Sequence, residues 1–138
     1  TGLRISDIQQ LRWEHIVKTQ DGYVMRIRTE KTKEEATLPI SEEALELCGE
    51  HGEGLVFKTL KRSMINYPLR AWIKEAGITR RITFHCFRHT YATLLSSAGV
   101  PIYTIAKMLT HRNVKNTQIY AEVLDPNKRE AANVISLK

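Results

Sequence analysis

GYVMRIRTEKTKEEATLPI, residues 22–40, is the stretch whose reading decides the fold. Its first seven residues alternate, with Tyr23, Met25 and Ile27 on one face, which is the period of a half-buried strand. EATLPI (35–40) is a second extended run, and TEKTKEE between them is charged and has no apolar anchor. This pattern predicts two antiparallel strands joined by a basic-tipped turn that carries Lys31 and Lys33. An earlier strand is expected near His15–Lys18.

Around this hairpin the sequence reads as helical. Ser6 followed by Gln9 fits a capping box, with Ile5, Ile8 and Leu11 three apart, so residues 6–13 are predicted as a short helix with Arg4 just before it. Ser41 should cap a helix running to about Gly49, with Glu42 and Glu43 well placed in its first turn. Residues 63–76 should form a helix that stops at Gly77, with Pro68 either delaying its start or kinking it. Thr83 should cap a helix over 84–97 that ends at Gly99, and Pro101 should open the next, 101–109. Residues 114–121 form a short helix after Asn113, and Asp125-Pro126 starts a last one over about 126–134. The expected class is mainly α with a small antiparallel β-sheet, an α+β fold.

The bulk properties restrict the setting. The 138 residues make one domain, 42% hydrophobic, with no run near the roughly 18 apolar residues of a membrane span. There is no signal-like N-terminus. The opening Thr1-Gly2-Leu3-Arg4 has no lead-in and reads as a piece cut from a longer protein. Lys and Arg total 21 against 15 Asp and Glu, a net charge of +6, which favours a polyanionic partner only modestly. Cys48 and Cys86 lack CxxC spacing, consistent with a reducing, cytoplasmic compartment.

Six residues could carry chemistry, and each has an ordinary explanation too. His85 and Arg88 in HCFRHT (85–90) share a face at a helix start, an end that suits a phosphate, or simply hold a solvated Arg and a bonded His. His85 and His89 have the spacing of a zinc-binding HxxxH, but Cys86 stands where metalloproteases carry Glu, Arg88 lies between the histidines, and no third ligand is suitably spaced. Lys31 on a hairpin tip is ordinarily a solvated charge. His111 could cap a helix C-terminus, and Tyr120 could place its ring in the core. Taken together with Arg4, they form one inventory. Two arginines can fork onto a phosphate, two histidines can bond it or move protons, and a lysine can protonate a leaving oxygen. A tyrosine hydroxyl, with a pKa of about 10, becomes a nucleophile where cations stabilise its phenolate. The arginines supply the charge a Mg²⁺ would bring, so the set needs neither metal nor cofactor.

Three segments resemble the motifs of one family. TGLRISDI (1–8) is similar to T-G-x-R-x-S-[DE], HCFRHTYATLL (85–95) to H-x-x-R-H-[ST], and MLTHRNVKNTQIYAEV (108–123) to a segment in which a histidine precedes a nucleophile by nine residues. In that order they resemble the catalytic domain of the tyrosine recombinases, the phage integrase family. The resemblance implies that Arg4 and Arg88 clamp the scissile phosphate and His111 hydrogen-bonds it. His85 would help deprotonate Tyr120, whose attack leaves a 3′-phosphotyrosine and a free 5′-hydroxyl. Ile119 would anchor the short helix inward while Tyr120 faces the DNA. The family's hairpin lysine would be Lys31, eight residues before Pro39, with Lys33 the alternative. Asp7 and His89 would orient the arginines and the phosphate site.

The resemblance also sets expectations for the whole protein. Residues 1–138 would be a C-terminal catalytic domain that lacks its first helices and the core-binding domain. The intact protein would act on double-stranded DNA as a homotetramer on two sites, in the bacterial cytoplasm with the nucleoid, while this piece alone would be monomeric. Its C-terminal tail, 122–138, would dock on a neighbouring subunit, and Lys61, Arg62, Arg80, Arg81, Arg112 and Lys115 would serve DNA phosphates. The KTK turn and residues 107–123 resemble integrases of Bacteroides-type mobile elements. Leu109-Thr110-His111 departs from the usual Leu-Gly-His, so Thr110 is expected in an ordinary backbone conformation. A chromosome-dimer resolvase, an invertase, a type IB topoisomerase and a non-catalytic DNA-binding module that kept the fold are the competing readings.

Overall fold

A computed structural model describes residues 1–123 of the chain. The expected helix over about 126–134 and the docking tail therefore lie outside the described residues. The chain divides into two compact units, Thr1–His89 and Thr90–Lys138.

The first unit is built around the hairpin. Strands β1 (Ile16–Thr19), β2 (Gly22–Arg28) and β3 (Glu35–Ile40) form an antiparallel sheet in sequence order. The boundaries of β2 and β3 are those the alternation predicts. Met25 lies opposite Leu38, Tyr23 opposite Ile40 and Ile27 opposite Ala36, so one face collects the apolar residues of both strands. Pro39 falls on the edge strand, where its missing N–H costs no ladder bond toward a further strand. The inward face packs with Leu3, Leu11, Trp13 and Ile16 into one core. Each such side chain stabilises the fold by about 1.5–3 kcal/mol when fully buried.

Helix α1 spans Ile5–Gln9, shorter than expected, and a 3-10 turn follows at Trp13–His15. The Ser6–Gln9 capping box does not form. Arg4 takes the N-cap in extended backbone, and the Gln9 amide instead donates to the Leu60 carbonyl at 2.8 Å. Helix α2 (Glu42–Glu46) is capped as expected, with Ser41 Oγ accepting from Ala44 N at 3.2 Å. Helix α3 (Arg62–Glu75) runs through Pro68, which therefore does not delay its start. Helix α4 (Phe84–Ser97) crosses the boundary between the units.

The second unit, as far as Val123, joins the rest of α4 to α5 (Ile102–Met108) and α6 (Lys115–Val123). Its core is Ala92, Ile105, Leu109 and Tyr120, with Tyr91, Leu95 and Val100 against it.

Three helices end in the same way. After α3, Gly77 N and Ile78 N donate to the carbonyls of Lys74 and Ile73; after α4, Gly99 N and Val100 N donate to Ser96 and Leu95. These are Schellman turns, and both glycines have positive φ, +70° and +76°. After α5 the same pair of bonds forms, from Thr110 N to Lys107 O and His111 N to Ala106 O, each 2.9 Å. Here the left-handed position is held by Thr110, at φ +52°. This corrects the expectation of an ordinary conformation. The two end bonds and the burial of Leu109 fix the turn, and the β-branched residue adopts the conformation it imposes.

Candidate active site

In the first unit, Arg4, His85 and Arg88 line one cleft of about 180 Å³, together with Leu3, Ile5, Ser6 and Phe84. Arg4 reaches it as the N-cap of α1, and its carbonyl accepts from Asp7 N and Ile8 N at 3.0 Å each. His85 and Arg88 project from the first turns of α4, whose start is fixed by Thr83: its carbonyl accepts from Cys86 N at 2.9 Å, and its amide donates to Cys86 Sγ at 3.4 Å. Arg88 is only 3% exposed, and its Nη1 donates to the Gly2 carbonyl at 2.6 Å. The bond pins the guanidinium at the cleft and ties the start of the chain to α4. A larger groove of about 760 Å³ shares Ile5, Phe84 and His85 with the cleft and carries Arg70, Lys74, Arg80 and Arg81.

His85 packs edge to face on His89, their ring centroids 4.7 Å apart. Its pKa is pushed below the ordinary histidine value. Desolvation of the ring contributes most, although the residue as a whole stays exposed, and the charges of His89, Arg88, Arg4 and Lys31 add to it. Lys31 is thus the hairpin cation whose field reaches His85.

The hairpin tip distinguishes its two lysines. Thr29 N donates to Glu34 O and Lys33 N to Thr29 O, each at 2.9 Å, closing the turn with Lys33 at φ +56°. Lys33 Nζ is paired with Glu30 at 2.8 Å, and Gln10 Nε2 donates to the other Glu30 oxygen at 3.3 Å. The Lys33 hydrogen bond, then that of Gln10, lowers the Glu30 pKa. Lys31 is exposed and is given no such partner by the hairpin.

Asp7 does something the sequence did not indicate. It is 4% exposed, and its Oδ1 accepts from the backbone N of Glu30 at 2.8 Å. It therefore grips the hairpin tip as well as lying three residues from Arg4. Glu30 and Gln10 were likewise invisible in the sequence, because each acts across a separation that no local period encodes.

His111 and Tyr120 belong to the second unit. His111 Nδ1 lies 2.8 Å from Thr117 Oγ1, and Thr117 is wholly buried. Thr117 had looked like polar filler; its spacing with Val114 and Tyr120, three residues each, is the sign of an inward face. Tyr120 lies on that face. It is 7% exposed, its ring is in the core, and its carbonyl accepts from Ser96 Oγ at 3.1 Å. Ile119 is 50% exposed. The expectation that Ile119 anchors α6 inward while Tyr120 faces outward is therefore reversed, since the helical period puts the tyrosine, not its neighbour, on the Thr117 face.

Among the described residues no group of three or more His, Cys, Asp or Glu converges as metal ligands would, and no helix is long and apolar enough to cross a membrane. The cleft instead concentrates positive charge beside a histidine held neutral, an arrangement suited to binding a phosphodiester and taking up a proton.

Comparison with known proteins bears on the same residues. The pattern described as the phage integrase family matches residues 1–126. A tyrosine recombinase of Pseudothermotoga lettingae is 30% identical over 96% of this chain and 49% of its own length. Tyrosine recombinase XerA of Saccharolobus solfataricus is 32% identical over 99% of this chain and 47% of its own. The chain spans about half the length of the curated relatives it matches. Among solved structures, XerH recombinase in a post-cleavage complex with difH superposes with a TM-score of 0.78 at 21% identity, covering 97% of this chain and 42% of that one. The catalytic domain of bacteriophage HP1 integrase gives 0.70 at 24% identity, covering 99% and 77%. These two likenesses establish the α+β fold.

Proposed function

This chain belongs to the phage integrase family, and on that premise we propose that the protein containing it is a tyrosine-type site-specific recombinase of double-stranded DNA. The observation that carries the reading is the shared cleft of Arg4, His85 and Arg88, with Arg88 buried and pinned. We read residues 1–138 as the catalytic domain of a protein that works as a tetramer on two DNA sites. We further read the KTK turn and residues 107–123 as those of an integrase of a Bacteroides-type element, which would make the reaction integration or excision of a mobile element.

The chemistry follows from the side chains. Arg4 and Arg88 bind the non-bridging oxygens of the scissile phosphate and stabilise the charge that grows on them in the transition state. His85, neutral at pH 7, takes the proton of the Tyr120 hydroxyl. Tyr120 Oη attacks phosphorus, the bond from phosphorus to the 5′-oxygen breaks, and Lys31 gives its proton to that oxygen. His111 donates a hydrogen bond to the phosphate. If the Thr117 hydroxyl donates to Nδ1, the neutral imidazole carries its proton on Nε2, ready for that bond. One phosphodiester is exchanged for another, so attack by a 5′-hydroxyl on the phosphotyrosine rejoins a strand without further energy. Arg70, Lys74, Arg80 and Arg81 along the groove supply contacts to backbone phosphates, which position DNA without reading sequence.

The test uses the intact protein and a nicked suicide duplex made from the ends of its host element. Protein should remain covalently bound to the DNA 3′ end, and Tyr120→Phe should abolish the adduct. An adduct that survives this change assigns the attack to another residue. Specific binding with no adduct supports a non-catalytic module.

A further inference from the structure

We propose that Asp7 is the positioning residue for Lys31: its buried carboxylate holds the hairpin tip by the backbone of Glu30 and so sets where the neighbouring lysine delivers its proton. The inference rests on the reading of Lys31 as the acid.

The hairpin tip is held from α1 at two levels. Asp7 Oδ1 accepts from Glu30 N at 2.8 Å, across 23 residues of sequence, and Gln10 Nε2 reaches the Glu30 carboxylate at 3.3 Å. The first bond is partly buried and charge-assisted, the stronger kind; the second is exposed. Lys33 serves the same anchorage through its 2.8 Å pair with Glu30. Between these contacts lie Lys31 and Thr32, and Lys31 directly follows the tethered Glu30. The Lys31 side chain is exposed and long, so its backbone origin is what the fold can fix.

The arrangement also carries a cost. Asp7 Oδ2 is buried and accepts no hydrogen bond among the described residues. A carboxylate kept under cover with half its acceptors idle is an expensive way to bind one amide. Its place in the first turn of α1 lowers that cost, because the helix N-terminus favours negative charge there. The same carboxylate follows Arg4 by three residues, so one short helix carries both an arginine of the phosphate cleft and the tether of the lysine turn. The spacing between the Arg4 clamp and the Asp7 tether is set by the first turn of α1 rather than by a loop.

The experiment compares two suicide duplexes, one ordinary and one with sulfur in place of the bridging 5′-oxygen. A thiolate leaves without protonation, since a thiol has a pKa of about 8.5. Lys31→Ala in the intact protein should cleave the ordinary duplex at least roughly 100-fold slower and the sulfur duplex at nearly the wild-type rate, by the usual scale of general acid catalysis. Asp7→Ala should show the same signature, about 10-fold or more slower on oxygen and restored on sulfur. Asp7→Asn keeps the shape and an acceptor oxygen, so it folds even where the alanine variant does not; it should lose about 3-fold on oxygen and nothing on sulfur. Equal loss on both duplexes, or no loss on either, for the Asp7 variants would overturn the proposal. Equal loss on both for Lys31→Ala would instead overturn the assignment of the acid.

Discussion

Thr117, with no exposed surface, lies 2.8 Å from Nδ1 of His111, so a residue six positions further along the chain holds the imidazole ring. Thr117→Val keeps the shape and removes the hydroxyl. A lost neutral hydrogen bond is worth about 0.5–1.5 kcal/mol, and the rate of covalent adduct formation should fall by roughly two- to twelve-fold. Thr117→Ser restores the hydroxyl and should recover most of the rate. Single-turnover cleavage on a suicide duplex measures both; a valine variant at the wild-type rate refutes the role of the contact.

Thr110 at φ +52° occupies the position that Gly77 and Gly99 fill at the other two helix ends. A left-handed conformation costs a non-glycine residue about 1–2 kcal/mol, partly offset by the greater unfolded-state freedom of glycine. Thr110→Gly should therefore stabilise the domain by up to about 1 kcal/mol, seen as a higher urea midpoint. A lower midpoint would mean that contacts of the threonine side chain outweigh the backbone strain.

His85 is held below its ordinary pKa by desolvation and by His89, Arg88, Arg4 and Lys31. The unfolded chain thus binds this proton more readily than the folded one, and stability rises with pH across the window between the depressed value and about 6.5. The contribution is complete above that window and lost as pH falls through it. His85→Gln should lose less stability than wild type between about pH 7.5 and about pH 5.5, measured by urea unfolding at each pH. Wild-type cleavage should be flat near neutrality and decline only below about pH 6.5, where His85 becomes protonated. Equal acid sensitivity of the two proteins would show that other groups govern it.

Much of this architecture was legible in the sequence. The strict alternation of residues 22–28 and 35–40 gave the strand limits to the residue, and Gly77 and Gly99 marked two helix ends. What escaped reading depends on distant partners. The Ser6–Gln9 cap lost to a bond between Gln9 and Leu60, 51 residues away, and Thr110 took a glycine's conformation because two end bonds of α5 required it. In the site, the motif residues Arg4, His85 and Arg88 could be picked out by type and spacing, whereas Asp7's hold on Glu30 and Thr117's on His111 could not. Tyr120 was assigned outward from its chemical role, although Val114, Thr117 and Tyr120 already trace an inward face. Periodicity was the better guide there.

The ring of Tyr120 fills a core position beside Ala92, Ile105 and Leu109, whatever its hydroxyl does. Replacing it with alanine would open a cavity at a cost of several kcal/mol, about 3–5 for a large aromatic, while phenylalanine would keep the packing. Fold and chemistry are therefore under separate selection at a single codon. A descendant that abandons strand exchange is free to shed the oxygen but not the benzene ring. Phenylalanine at position 120 is the expected relic in degenerate copies of this domain, and a small or charged residue there would mark a copy whose second unit no longer folds.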